Sequence, residues 1–216
     1  MTSVHLGEPS QPIELDSIDD LFKRLQLSIT PAPNTRSLIL VGGCSRSGKS
    51  TLARGIASRF RARGVPAHTV TLDSWLVSVE HRSATSTVLE RYDCGAIASS
   101  MTAVLRGETV HPPVYDVATR RRVSERSDVG LHIPSGVVIA EGVIALGLET
   151  LLPYARARIF TDVTDAVRLA RLQEFYTQTK GLTAQAASSL IGERELEEVP
   201  LIKSTRANAD VVFAGR

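Results

Sequence analysis

Cysteine is scarce: the 216 residues include two, Cys44 and Cys94. They match no metal-ligand spacing and give no disulfide framework, so a reducing cytoplasm is the expected setting. Long apolar runs are missing too; none approaches the length of a membrane span, and no membrane partner is expected. The first residues, MTSVHLGEPSQP, lack a basic region followed by an apolar core, so they do not read as a secretory signal. The net charge of +2 indicates neither a nucleic-acid tail nor a membrane-binding face. His68, His81, His111 and His132 show no ligand spacing and read as structural. N-K-x-D and D-x-x-G, which a GTPase would need, do not occur, nor does the LSGGQ-like signature of a transport ATPase. The chain is also short for a ring ATPase, and it shows no internal repeat. What is present, 43% apolar and 22% charged residues, can bury a full α/β core.

The organising stretch is Gly43 to Ser50, GCSRSGKS, which fits G-x-x-x-x-G-K-[ST]. It follows the apolar run Leu38-Ile39-Leu40-Val41 and opens a predicted helix from Lys49 to Phe60. Gly43 and Gly48 allow backbone conformations closed to residues with a Cβ. The loop Gly43, Cys44, Ser45, Arg46, Ser47, Gly48, with Lys49, Ser50 and Thr51, can then turn its N–H groups around a phosphate. The helix start aims its positive end at the same place. Lys49 supplies an ammonium for the outer phosphates, and the Ser50 hydroxyl is a ligand for Mg²⁺.

Along the chain, residues 1–15 read as irregular. A short helix capped by Asp16 or Ser17 follows, with Ile18, Leu21, Phe22 and Leu25 on one face. Pro31-Ala32-Pro33-Asn34 is a linker, so residues 1–35 are expected to be an N-terminal extension and 36–216 the main domain. Buried parallel strands are expected at Ser37–Gly42, Ala67–Leu72, Val137–Ala140, Ala157–Thr161 and Ala209–Phe213. Ser83–Gly107 reads as mostly helical, broken around Asp93. Val110–Tyr115 and Arg122–Ser124 suggest a small inserted hairpin. Helices over Asp165–Thr179 and Thr183–Val199 form a candidate lid, about 165–200. Strands alternating with helices predict a doubly wound parallel sheet with helices on both faces, of the P-loop NTPase type.

Three further positions carry candidate chemistry. Asp73 ends a core strand, on the ligand side of such a sheet. It is suited to be the general base for a hydroxyl acceptor, or to cap the next helix. Glu141 ends another core strand and is placed to hold Mg²⁺ directly or through water, or simply to end the strand. Arg168, Arg171 and Lys180 lie on or just after a lid helix, where cations neutralise a transferring group; a solvated helix face is the competing reading. Trp75 and the tyrosines are suited to ring stacking or to packing.

The succession GGCSRSGKST, TLDSWL, PPVYDVATRRR, VVIAEGVIAL, IFTDVTDAVRLAR and ANADVVF resembles the uridine kinase branch of the phosphoribulokinase/uridine kinase family, over about residues 37 to 214. The resemblance implies an ATP- and Mg²⁺-dependent kinase acting on a hydroxyl of a small molecule, in uridine kinases the 5′-hydroxyl of uridine or cytidine. It implies that Lys49 and Ser50 serve the phosphates and metal, Asp73 is the base, and Asp93 grips ribose hydroxyls. It further implies that Tyr115 contacts the nucleobase, Glu141 is the metal-side acid, and Arg168 and Arg171 begin the lid. Related kinases are often oligomeric, which extends to this chain the expectation of a homo-oligomer. The chain departs from the pattern in places. Arg120 stands where uridine kinases place a histidine that reads the pyrimidine. The D-H-P-x-x-F-D stretch is replaced around Asp93-Cys94-Gly95-Ala96, and the lid's R-D and R-G-R by Phe175-Tyr176 and Lys180-Gly181-Leu182. A cation at Arg120 suits an anionic or carbonyl-rich acceptor, of which pantothenate, glycerate and sugar phosphates are examples; nicotinamide riboside is another acceptor of related kinases. A nucleotide-binding regulatory protein without turnover is the alternative from another class. Lys49→Ala is expected to lose both phosphoryl transfer and tight ATP binding, measured by turnover and by calorimetric titration.

Overall fold

Leu38-Ile39-Leu40-Val41 is apolar at every position, and such a strand needs cover on both faces. A computed structural model describes residues 11–29, 32–83 and 85–215 and shows how the cover is supplied. The expectations for residues 1–10 and for Pro31 lie outside the described residues. The strands are β1 (Ile13–Leu15), β2 (Arg36–Gly42), β3 (Ala67–Thr71), β4 (Val114–Asp116), β5 (Arg121–Ser124), β6 (Gly136–Glu141), β7 (Ala155–Asp162) and β8 (Val211–Ala214). The helices are α1 (Ile18–Ser28), α2 (Lys49–Arg61), α3 (Cys94–Arg106), α4 (Asp165–Glu174), α5 (Ala184–Glu197) and α6 (Val199–Ser204).

Six strands form one parallel sheet in the order β1-β8-β7-β2-β6-β3. Leu38 and Leu40 of β2 and Val138 and Ala140 of β6 pack on one face against Ile97, Met101 and Val104 of α3 and Ile202 of α6. Ile39, Val41, Val137 and Ile139 pack on the other face against Leu52, Ile56 and Phe60 of α2 and Leu21, Phe22 and Leu25 of α1. This is the doubly wound α/β architecture that the uninterrupted apolar strands predict. β4 and β5 pair antiparallel as the expected hairpin. No helix among the described residues is long and apolar enough to cross a membrane.

Three local expectations are corrected. Residues Ile13–Leu15 are not irregular but form an edge strand on β8, in register Ile13↔Val211; three residues are too few to show a period of two. Ser83 and Thr85–Val88 are not helical. Hydroxyls and carboxylates bond locally, Ser83 Oγ to Thr85 Oγ1 at 2.9 Å and the Thr87 N–H to Glu90 Oε2 at 2.7 Å, in competition with a helix. The second lid helix breaks after Glu197, because Pro200 lacks an N–H and is tolerated in the first turn of the new helix α6.

The segment read as an N-terminal extension contributes to the main core. Ser17 caps α1 by accepting from the Asp20 N–H at 3.3 Å. Leu21, Phe22 and Leu25 recur at helical spacing and are buried. Phe22 meets Phe60 edge-on, with ring centroids 4.8 Å apart. Leu25→Ala is therefore expected to cost about 3 kcal/mol of global stability, read as a lower midpoint of one cooperative urea transition.

Candidate active site

A parallel sheet carries all its strand ends of one kind to one edge, and register decides which residues meet there. Glu141, the last residue of β6, stands level with Val41 of β2 on one side and Thr71 of β3 on the other. Two residues beyond Val41 the glycine loop begins; two beyond Thr71 comes Asp73. One rung of the sheet thus draws together the loop and both predicted carboxylates.

The loop is shaped by close contact with β7. Gly43 has φ +135°, and a Cβ there would overlap the Thr161 carbonyl oxygen and sit 2.5 Å from its Oγ1. The Thr161 hydroxyl donates to the Gly42 carbonyl at 3.1 Å and lies 2.5 Å from the Ser47 hydroxyl. Gly48, at φ +100°, turns the chain into α2. Ser50 and Thr51 are exposed at the mouth of the loop, while Cys44 is buried, which pushes its thiol pKa up.

Lys49 is buried and its Nζ donates to the Cys44 carbonyl at 2.8 Å. Burial lowers its pKa, and the fields of Asp73 and Glu141 oppose that. Glu141 shows the reverse: burial and then Asp73 push its pKa up, while Lys49 and the Ser50 and Thr71 side chains draw it down. The three charged groups therefore sense one another. Mg²⁺ ordinarily takes one or two protein oxygens and fills its shell with phosphate and water. The Ser50 hydroxyl against the Glu141 carboxyl is a donor pair of that kind.

The other predicted residues are placed less simply. Asp93 caps α3, accepting from the Ala96 N–H at 3.0 Å. Tyr115 accepts at its hydroxyl from Arg82 Nη2 at 2.8 Å. Arg120 is exposed in the turn between β4 and β5 with φ +60°, and its carbonyl accepts from the Val79 N–H. Arg122 turns back to the site: its Nη2 donates to the Trp75 carbonyl at 3.2 Å, and Nη1 lies 3.8 Å from Asp93. Its buried Nε has no hydrogen-bond partner among the described residues.

In the lid, Arg168 is 2% exposed and paired with Glu195 and Asp165, and the Glu195 hydrogen bonds raise its pKa. That puts it inside the lid packing beside Leu172 and Tyr176, with its charge already met. Arg171 reaches the loop, donating to the Arg46 carbonyl at 3.4 Å. Arg46 itself, at φ +63°, lays its guanidinium 3.7 Å from the centre of the Phe175 ring. Lys180 lies 5.7 Å from that same ring centre and donates to the Val117 carbonyl in the hairpin at 2.9 Å. The lid thus touches both the loop and the hairpin. Tyr92, Arg82 and Arg122 are contacts that sequence reasoning missed. Tyr92 precedes Asp93, and its hydroxyl donates to Asp73 Oδ1 at 2.9 Å.

Residues 38–215 match the model of the Phosphoribulokinase / Uridine kinase family. A uridine kinase of Brevibacillus brevis is 25% identical over 184 residues, covering 82% of this chain and 83% of that one. In fold, the chain is similar to a structure described as a "putative fructose transport system kinase" from Silicibacter sp. TM1040. The TM-score is 0.73 at 23% identity, over 91% of this chain and 98% of the other. It is also similar to a "possible uridine kinase" from Bacillus stearothermophilus, at TM-score 0.59 and 22% identity, over 91% and 96% of the two chains.

Because Arg168 sits inside the lid packing, Arg168→Gln is expected to lower the unfolding free energy by about 2 kcal/mol. Urea unfolding checks this; lost activity at unchanged stability would point to direct action on the phosphates.

Proposed function

The chain belongs to the phosphoribulokinase/uridine kinase family, and from that premise we propose that it transfers the γ-phosphoryl group of ATP to a hydroxyl of a small molecule. The observation that carries the proposal is the shared rung Val41–Glu141–Thr71, which brings the phosphate cradle, Glu141 and Asp73 to one place. The loop N–H groups and the start of α2 hold the phosphates. Lys49 exchanges the Cys44 carbonyl for the outer phosphate oxygens. Ser50 and Glu141 are the residues that would hold Mg²⁺, which would offset the charge of the phosphates. Asp73 orients the acceptor hydroxyl in line and accepts its proton as the new O–P bond forms and the bond to ADP breaks. Arg171 and Arg46 lie where the lid meets the loop and contribute positive charge near the transferring group. Little else is needed, because catalysis of this step rests on positioning and charge neutralisation.

Uridine or cytidine is the acceptor that the family resemblance suggests. The side chains around the hairpin favour a different one. Arg120 stands where uridine kinases place a neutral pyrimidine reader, and Arg82, Arg122 and Lys180 bond around the same hairpin. We favour an acceptor rich in anionic or carbonyl oxygens, such as a hydroxy acid or a sugar phosphate. A screen of ATP turnover over nucleosides, sugars, sugar phosphates and hydroxy acids tests this, and ordinary rates with uridine and cytidine alone would reject it. Asp73→Asn is expected to lower kcat by about 10²–10⁴-fold with nucleotide affinity retained. Equal turnover in that variant would remove Asp73 from the mechanism, and a protein that only binds nucleotide would be indifferent to the change.

A further inference from the structure

Asp73 sits in a short 3₁₀ turn, Leu72–Trp75, at the open end of β3, and its side chain is exposed. The carboxylate of an aspartate turns readily about its last torsion. A base that must point one oxygen along the line of transfer gains from a fixed donor on the other oxygen. The structure supplies one. Tyr92 is 8% exposed, and its hydroxyl donates to Asp73 Oδ1 at 2.9 Å.

Tyr92 is itself held on both sides. The Val77 N–H donates to the Arg91 carbonyl at 2.9 Å and the Asp93 N–H to the Trp75 carbonyl at 3.0 Å, so residues 91–93 run bonded alongside residues 75–77. Arg91 is anchored to the lid through Glu197 at 2.7 Å and Glu198 at 2.5 Å. The phenol ring packs in the core on the α3 face of the sheet, with Trp75, Ile97 and Val88. A ring so enclosed has no need of a hydroxyl for packing; phenylalanine fills the same space. Among the described residues, the one hydrogen bond the hydroxyl makes is with Asp73.

We propose that the Tyr92 hydroxyl is a positioning residue for this kinase: it clamps Oδ1 of Asp73 so that Oδ2 faces the acceptor hydroxyl. The inference rests on the assignment of Asp73 as base. A neutral donor suits the task, because it orients the carboxylate without cancelling its charge as an ammonium would. Burial and the neighbouring Asp73 raise the phenol pKa well above its ordinary value, which keeps the proton on Tyr92 and the hydroxyl a donor. The acceptor's proton goes to Asp73, and Tyr92 keeps its own throughout.

The test is a double-mutant cycle on the full chain, with Tyr92→Phe, Asp73→Ala and the double variant. The acceptor is whichever gives the highest turnover in the screen above, and single-turnover transfer from radiolabelled ATP reads the slow variants. Tyr92→Phe is expected to lower kcat about tenfold, with the KM for ATP and the thermal midpoint unchanged. In the Asp73→Ala background the same change is expected to have no effect on kcat. Wild-type kcat in Tyr92→Phe, or an equal fold-loss in both backgrounds, would overturn the clamp while leaving Asp73 as base. Wild-type kcat in Asp73→Ala would overturn the base assignment, and the clamp with it.

Discussion

Lys49 is an ammonium buried beneath a loop, and burying one without compensation is costly. The compensation is local and specific: a carbonyl at 2.8 Å and the fields of two carboxylates, Asp73 and Glu141. Glu141 depends on the arrangement in turn. Glu141 would resist ionisation more strongly at its buried strand end without Lys49 nearby. The triad of charges exists because β6 lies between β2 and β3, with Glu141 level with Val41 and Thr71. A slip of one residue in either pairing would turn the strand's side chains to the opposite faces and dissolve the group.

The rest of the molecule keeps that edge in place and partly covered. β7 presses Thr161 against Gly43 and Ser47, so the loop's curvature is fixed from behind. Both faces of β2 are packed, α1 and α2 on one and α3 and α6 on the other, which holds the strand ends rigid. The lid has a small core of its own, Leu172, Tyr176, Ala187 and Ile191, fastened by the Arg168–Glu195 pair. Its contacts with the loop pass through the Arg46–Phe175 stack and Arg171, and its contact with the hairpin through Lys180. The lid is thereby joined to the loop and to the hairpin by a few side chains.

What was legible in the sequence follows from the range of the interactions. The glycine loop, its strand and its helix are consecutive, so the motif and its flanks state the geometry outright. Glu141 ends an apolar strand and Asp73 follows the end of β3 by two residues, and both were readable because parallel strands deliver their ends to one edge. Tyr92 was not: its partner lies 19 residues away across a turn whose path the sequence does not state. Nor was the burial of Arg168, which depends on Glu195, 27 residues on in another helix. Nor was the course of Arg122, because position in a motif does not reveal which side of a hairpin a side chain takes. β1 is three residues paired with a strand nearly two hundred residues later, beyond any local pattern.

The central claim is that these charges and the glycine loop converge on one transferring phosphoryl group. A crystal structure with ADP, Mg²⁺ and aluminium fluoride, a mimic of that group in flight, tests it most directly. The account predicts Lys49 Nζ released from the Cys44 carbonyl and set on the mimic, Ser50 and Glu141 around the metal, and Asp73 on the far side in line. A complex with the mimic in the loop but Lys49 still on that carbonyl and Asp73 turned away from the line of transfer would contradict it.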